Sequence, residues 1–404
     1  MPPVKISHSS ERLSVCDAST GAEVTRWTQG PGKNHHLYFT THSVTADDRW
    51  LVFLSERDGH PNLYAIDRRD GAIRRLSNNA AGTLRSYVYP LGGLVGLSKV
   101  SPCLDPFRNR LFYIRDDRIF QVNLDDLEPT ERSLASLPAG WYGGFTHISA
   151  DGKTLCVPVA DPRAFADEKT QWDQLDHVPS RMAAGGLYTR LYFIDMETGA
   201  QRIAAEVPFW VTHVQFDPAG SLRMIFNLEG SGDGGPLPDR IWCLERDGSF
   251  RPLAPEVKGE WRSHENWASD GLSIVYHGSR DGRAFVAART WEGELLHESA
   301  IDGVEFWHAT GLPDGRRLAV DRRDGMISLI DPQPGGAPPR VIDLCRHDTT
   351  IEDQDTHAHP ITALHGRSLV FSSDRSGDCQ VYEVAIPGAD AALDPESPRQ
   401  TPTV

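Results

Sequence analysis

One pattern of polar and apolar positions recurs along the chain. A polar turn leads into an apolar strand, and a second turn leads into a strand that carries an aromatic residue and ends near Asp and Gly. The pattern is clearest in residues 44–77, where Trp50–Leu54 and Asn62–Asp67 are the apolar runs and 72–76 is a last strand. Short apolar runs joined by tight polar turns are typical of antiparallel hairpins. This segment therefore predicts a four-stranded meander.

The same pattern begins again at six further points, near residues 103, 148, 216, 268, 312 and 364. The chain thus holds seven copies at intervals of roughly 45 to 68 residues. Repeats of this length, each built from four short strands, are typical of a β-propeller. We predict an all-β fold, a seven-bladed β-propeller with four-stranded blades, as a single domain over 1–404 with its blades at roughly 29–386.

Three segments depart from the repeat. Residues 12–28 resemble the end of a repeat with nothing before it, so we expect this N-terminal strand to close the ring by completing the last blade. Residues 157–188 interrupt the third repeat and predict an inserted loop, either a functional lid or a surface excursion. The tail 388–404, rich in Pro and Ala, is predicted to be disordered.

Charge and cysteine content narrow the choice of partner and compartment. The chain has 41 basic and 56 acidic residues, a net charge of −15. This excess argues against nucleic acid or an anionic membrane as partner, although a local basic pocket can still bind an acidic substrate. Six scattered Cys without metal-type spacing indicate buried thiols in a reducing compartment. Residues 1–12 lack the apolar core of a signal peptide and no run has transmembrane length, so we expect a cytoplasmic protein.

A candidate metal site lies in the run Gln354-Asp355-Thr356-His357-Ala358-His359-Pro360. On an extended strand, His residues at i and i+2 share one face. The amide oxygen of Gln354 is close enough in sequence to reach the same point. Two imidazoles and one oxygen suit a divalent first-row ion. A His-x-His pair also arises often by chance, so the pattern alone is modest support.

Histidines precede the turn that opens a blade in six of the seven repeats. They are His42, His147, His213, His264, His308 and the pair His357 and His359. Propeller sites form at one end of the central channel from several blades, so these side chains can converge. His308 would join Gln354, His357 and His359 from the adjacent blade as a four-donor set. His264, one blade earlier, would then be free to act as a base.

The last repeat carries Arg346-His347-Asp348-Thr349-Thr350, then the Gln354 to Pro360 run, then Val370-Phe371-Ser372-Ser373-Asp374. This succession resembles the last blade of the oligogalacturonate lyases, which are seven-bladed propellers that bind manganese. Other segments similar to that family are 21–26, Arg240-Ile241-Trp242, His264-Glu265-Asn266-Trp267 with Asp270-Gly271, and His308 with Pro313-Asp314-Gly315. The resemblance covers roughly 15–386 and is weak across 157–188.

The resemblance implies a reaction and a role for each matching residue. The reaction would be β-elimination of a short α-1,4-linked oligogalacturonide, giving a 4,5-unsaturated uronate. His264 would be the general base and Arg240 a cationic partner near the reacting carbon. The manganese ligands would be His308, Gln354, His357 and His359. Four further residues remain as candidates for substrate binding: His42, His147, His213 and Arg190.

These residue types suit an elimination. The C5 proton is only weakly acidic, and a metal ion on the adjacent carboxylate would stabilise the charge that develops when it leaves. A neutral His can take that proton near neutral pH. A nearby Arg offsets negative charge and helps to keep the His unprotonated.

Several alternatives stay open at this point. Ala358 stands where the family usually has Pro, and 361–364 lacks the usual aromatic residue, so a different uronate-containing oligosaccharide would also fit. His and Gln ligands would equally suit zinc, iron, cobalt or nickel. A non-catalytic propeller would predict an exposed apolar patch and no metal. A calcium-dependent hydrolase or lactonase would need mainly carboxylate and carbonyl ligands, which this His-rich set disfavours.

Overall fold

The computed structural model describes residues 7–82, 97, 101–165, 177–230, 239–333, 335, 337–351 and 356–388. The described strands form seven antiparallel sheets. Each sheet contacts the next around a ring, and the seventh returns to the first. Its fold is therefore a seven-bladed β-propeller, as the repeats predict.

Each blade is named here by its order along the chain. Blade 1 consists of Ser7–His8, Asn34–His36, Trp50–Ser55, Asn62–Asp67 and Ile73–Arg75. Blade 2 consists of Cys103–Asp105, Arg110–Arg115, Arg118–Asn123 and Arg132–Ser136. Blade 3 consists of Tyr142–Gly143, His147–Ile148, Thr154–Ala160, Thr189–Asp195 and Gln201–Val207. Blade 4 consists of Val214–Phe216, Met224–Asn227, Ile241–Leu244 and Phe250–Pro252. Blade 5 consists of Glu260–Trp267, Ile274–Arg280, Arg283–Arg289 and Leu295–Ala300. Blade 6 consists of Phe306–Gly311, Leu318–Arg322, Met326–Asp331 and Arg340–Arg346. Blade 7 consists of Ile361–Thr362, Ser368–Ser373, Gln380–Ala385, Glu23–Arg26 and Leu13–Cys16.

The prediction of four strands in every blade is wrong for three of them. Blade 1 gains Ser7–His8, which pairs with Ile73–Arg75. The inner edge of blade 3 is split into two short strands that both pair with Thr154–Ala160. Blade 7 takes two strands from the start of the chain: Val24 pairs with Val384, and Leu13 pairs with Arg26. Strands from residues 13–26 and 361–385 thus share one sheet.

The hydrophobic core lies between neighbouring blades. The middle strands are buried on both faces, so they read as continuous apolar runs such as Trp50–Ser55. Leu54 and Leu63 of blade 1 pack with Leu104 and Leu111 of blade 2, all of them at most 2% exposed. Burying a leucine side chain contributes about 1.5–3 kcal/mol. Contacts of this kind hold the blades at fixed positions around the channel.

The predicted insertion 157–188 is partly strand and partly helix. Its first residues continue the strand Thr154–Ala160, so the connection begins at 161. A 3₁₀ turn at Pro162–Phe165 and an α-helix at His177–Gly185 follow, and Phe165, Val178 and Met182 pack against Trp210. Residues 166–176 lie outside the described part, as does the tail from 389.

Neither described helix has the length and apolarity needed to cross a membrane. All six cysteines are free thiols, and five are buried.

Candidate metal and catalytic site

Three histidines from two adjacent blades form a candidate metal centre. His308, His357 and His359 each offer a ring nitrogen, and these atoms lie within 4.8 Å of one another. All three side chains are buried. Imidazole nitrogens at this spacing match the donor set of a divalent transition-metal ion. Gln354, the fourth predicted ligand, lies outside the described residues.

The ring of His308 is oriented by a carboxylate behind it. His308 Nδ1 is 2.8 Å from Asp321 Oδ2, and the His308 backbone N–H donates to Asp321 Oδ1. The Nε2 atom is buried and has no hydrogen-bond partner among the described residues. Burial raises the pKa of the Asp321 carboxyl, but His308 outweighs it and holds that pKa below its usual range. A histidine whose other nitrogen bonds a carboxylate is the usual form of a metal ligand, so His308 fits an ion bound at Nε2.

His357 and His359 meet by a different geometry from the one predicted. Neither lies on a regular strand, because the strand of this segment begins at Ile361. His359 has a positive φ of 46°, and its carbonyl accepts a hydrogen bond from His36 Nε2 at 2.7 Å. The expectation that both share one face of a strand is therefore wrong. A left-handed turn, held by blade 1, brings their ring centroids to 5.5 Å.

A β-bulge in blade 5 presents His264. The pairing of Glu260–Trp267 with Ile274–Arg280 shifts register between Ser263 and Asn266. His264 takes a positive φ of 51°, which is uncommon for a residue with a side chain. A regular strand directs successive side chains to opposite faces, and a bulge changes those directions. His264 consequently points toward blade 6. Its ring centroid lies 4.3 Å from that of His308.

His264 also contacts a histidine that the sequence did not single out. His264 Nδ1 is 2.7 Å from His277 Nε2, and the two rings stack at 5.0 Å. Burial, followed by His308, His277 and Arg240, lowers the pKa of His264 well below its usual value. Burial and His308 lower the pKa of His277 to about 3. Both rings are therefore neutral near neutral pH, the form that a general base requires.

Arg240 lies between two buried carboxylates. Its Nε is 3.4 Å from Glu265 Oε2, and its Nη2 is 3.6 Å from Glu229 Oε2. The other oxygen of Glu265 is 2.9 Å from His213 Nδ1. Burial raises the pKa of Glu265, but His213 and Arg240 outweigh it and hold that pKa below its usual range. Arg240 is therefore paired with buried carboxylates of the site, and only 14% of its side chain is exposed.

An aromatic residue of blade 1 lies at the centre of the ring. Phe39 contacts histidines of four other blades, with centroid distances of 5.2 Å to His213, 5.3 Å to His264, 5.7 Å to His308 and 5.9 Å to His359. Tyr38 packs beside it and is only 1% exposed. Phe39 is 7% exposed and gives the histidines an apolar wall, which strengthens electrostatic interactions within the cluster.

The structure places three of the predicted substrate-binding residues away from this cluster. His147 Nδ1 accepts a hydrogen bond from the backbone of Phe216, and the pKa of His147 is lowered to about 3 by burial and by the neighbouring His42. Among the ring contacts of the described residues, neither His42 nor His147 reaches the three metal-candidate histidines. Arg190 stacks on Trp141 at 4.5 Å and pairs with Glu206 at 2.7 Å on blade 3. His213 does join the cluster, through Phe39 and Glu265.

Sequence reasoning missed the partners that orient the site. Asp321, His277 and Phe39 lie outside any local motif, and only strand pairing and the closed ring bring them to it. Glu265 had a signal, since it directly follows His264. In a regular strand, however, adjacent side chains point to opposite faces, and the bulge is what brings both into the site.

Known proteins that are similar to this chain are oligogalacturonate lyases. A family profile described as oligogalacturonate lyase matches residues 5–287. The oligogalacturonide lyase of Pectobacterium atrosepticum is 23% identical and covers 92% of this chain and 95% of its own length. The oligogalacturonate lyase of Dickeya dadantii is 24% identical with the same coverage of both chains. The profile match ends within blade 5, whereas the alignments with these relatives cover 92% of the chain.

Solved structures show the same fold. An oligogalacturonate lyase in complex with manganese superposes with a TM-score of 0.80 at 24% identity, covering 96% of this chain and 99% of its own. An oligogalacturonate lyase from Vibrio parahaemolyticus superposes with a TM-score of 0.77 at 22% identity, covering 95% and 99%.

Proposed function

The chain belongs to the oligogalacturonate lyase family, and we propose from that premise that it cleaves short oligogalacturonides by metal-dependent β-elimination. The observation that carries the proposal is the convergence of His308, His357 and His359 beside His264. Relatives named as lyases of this substrate support the activity. The manganese complex of a structural neighbour makes manganese the preferred ion.

His308, His357 and His359 would hold the metal, with Gln354 as a fourth ligand from the same segment. When bound, the ion would act as a Lewis acid on the uronate carboxylate and lower the cost of removing the C5 proton. Asp321 keeps His308 in the tautomer that leaves Nε2 available. The donor set is His-rich, which disfavours calcium.

His264 is the proposed base. Its neutral ring has Nδ1 bonded to His277, so Nε2 is the atom that would receive the C5 proton. Arg240 supplies positive charge on the same side of the cluster and offsets the negative charge of the acidic substrate. The C5–H bond breaks, the C4–C5 double bond forms, and the glycosidic oxygen at C4 leaves with the bonding pair.

The test is ultraviolet absorbance during incubation with digalacturonate or trigalacturonate. The protein is stripped with a chelator and assayed with and without added manganese. A rise that requires the metal supports eliminative cleavage, because the 4,5-unsaturated uronate absorbs and the substrate does not. Absence of a rise in a protein that still binds manganese would refute oligogalacturonides as the substrate and direct the search to other uronides.

A further inference from the structure

Glu265 is a fully buried carboxylate that the proposed elimination does not use. Its side chain is 0% exposed, and no surface role is open to it. Burying a charged carboxylate is costly unless it is paired. Its place in the site therefore calls for a function beyond packing.

The two oxygens of Glu265 contact two different groups. Oε1 is 2.9 Å from His213 Nδ1, and Oε2 is 3.4 Å from Arg240 Nε. His213 is 1% exposed and its ring is wedged against Phe39 and Phe145, so it cannot swing away. The carboxylate is therefore fixed on one side by a rigid imidazole and presents its second oxygen to the guanidinium.

Glu229 contacts a different nitrogen of the same guanidinium, Nη2, at 3.6 Å. Glu229 is itself anchored by Asn227 and Thr212, at 2.8 and 2.7 Å. Both contacts are ion pairs. Because a guanidinium is planar, carboxylates placed at two of its nitrogens favour one orientation more than a single carboxylate does. Glu265 thus places a second carboxylate at this guanidinium.

We propose that Glu265 is a positioning residue that, backed by His213, holds Arg240 in the orientation needed for the elimination. This inference rests on the proposed function, in which Arg240 offsets charge beside His264. The same bulge that turns His264 into the site turns Glu265 toward Arg240. His264, the proposed base, and Glu265, the carboxylate that pairs with Arg240, are therefore consecutive in the chain.

The experiment measures kcat and KM for trigalacturonate in Glu265→Gln, in wild-type and in Arg240→Lys backgrounds, at saturating manganese. In the wild-type background we expect kcat to fall about 100-fold, as for a misplaced catalytic group, with KM within about 3-fold. In the Arg240→Lys background the same change should cost less than about 3-fold, because the group it positions is already gone. Equal losses in both backgrounds would overturn the proposal.

Two further variants separate positioning from folding. Asp217→Asn removes another fully buried carboxylate that pairs with an arginine, Arg223 at 2.8 Å, on blade 4 outside the site. We expect its kcat to stay within about 2-fold of wild type. Glu265→Asp keeps the buried charge but withdraws it by one methylene, and we expect an intermediate loss of kcat. A wild-type kcat in Glu265→Asp would refute the proposal even if Glu265→Gln failed to fold.

The outcomes also separate this inference from its premise. Wild-type kcat in Arg240→Lys would refute the proposed role of Arg240 and the inference with it. A large loss in Arg240→Lys beside an unchanged Glu265→Gln would refute the inference alone.

Discussion

At the scale of single residues, the partner of each imidazole decides what that imidazole can do. His308 is backed by a carboxylate, Asp321, which fixes the ring and leaves its Nε2 facing the cluster. His264 is backed by another imidazole, His277, which adds no negative charge and leaves His264 neutral in an enclosed site. Two histidines in ring contact are thereby suited to different tasks, one to binding a cation and the other to accepting a proton.

We expect His264→Ala to lose turnover while keeping its metal. Removal of a general base typically lowers the rate by about 10²- to 10⁴-fold. The rate is followed by ultraviolet absorbance, and manganese content is measured by elemental analysis on the same sample. Loss of manganese from the variant would move His264 from the base role into the ligand set.

We expect Asp321→Ala to weaken manganese binding by about 10- to 100-fold, because His308 loses the group that fixes its ring. Calorimetric titration of the chelator-stripped protein measures the dissociation constant. The matched control is Asp331→Asn, a buried carboxylate of the same blade that pairs with Arg316 at 2.9 Å. An unchanged dissociation constant in Asp321→Ala, or an equal change in the control, would contradict the assigned role.

At the scale of strands and turns, the sequence predicted most of what is regular and little of what is irregular. Runs such as Trp50–Leu54 and Asn62–Asp67 are predictable because apolar residues between polar turns specify a buried strand wherever it packs. The bulge at His264 and the left-handed turn at His359 were not, because each depends on pairing with a distant segment. Site geometry here comes mainly from those irregularities.

The turn that begins at Asp17 gives a test at this scale. Asp17 Oδ1 accepts hydrogen bonds from the backbone of Ser19 and Thr20, and Oδ2 accepts one from the backbone of Arg346. Burial opposes these bonds, but together they lower the pKa of Asp17 to about 2. The Asp17 carboxylate thus links the N-terminal hairpin to blade 6, as does the Thr20 hydroxyl, which donates to the Leu344 carbonyl.

Because the folded-state pKa lies below the unfolded value, this stabilisation is present above about pH 4 and is lost as the pH falls toward 2. We expect Asp17→Asn to lower the free energy of unfolding by about 1–2 kcal/mol near neutral pH. The difference from wild type should shrink as the pH falls below about 4. Urea unfolding across this range measures it, and a difference independent of pH would show that the charge is not responsible.

At the scale of the whole molecule, the ring of seven blades and the family resemblance were predictable from the sequence. Of the four predicted metal ligands, Gln354 lies outside the described residues. Seven repeats of similar length leave few alternatives to a seven-bladed propeller. The convergence of His308, His357 and His359 follows from that ring, since equivalent positions of neighbouring blades meet at the channel. His42 and His147 occupy similar sequence positions, yet they neighbour each other and make no ring contact with these three histidines among the described residues.

The two N-terminal strands of blade 7 give a test at this scale. We expect deletion of residues 1–28 to lower the Tm sharply and to promote aggregation, because it leaves the edge of Gln380–Ala385 unpaired. Deletion of 1–9 is the control, since it removes only Ser7–His8 from blade 1, and we expect a shift of a few degrees. Thermal unfolding with light scattering compares the two, and equal Tm values would contradict a special contribution from 13–26.

The pairing of Val24 with Val384 also determines when blade 7 can form during synthesis of the chain. Residues 13–26 leave the ribosome long before Gln380–Ala385, the strand beside which they lie. Throughout that interval the early segment must remain available without being captured by another chain. A chain that stops before residue 380 would leave this segment without its partner strand and with an unpaired, aggregation-prone edge.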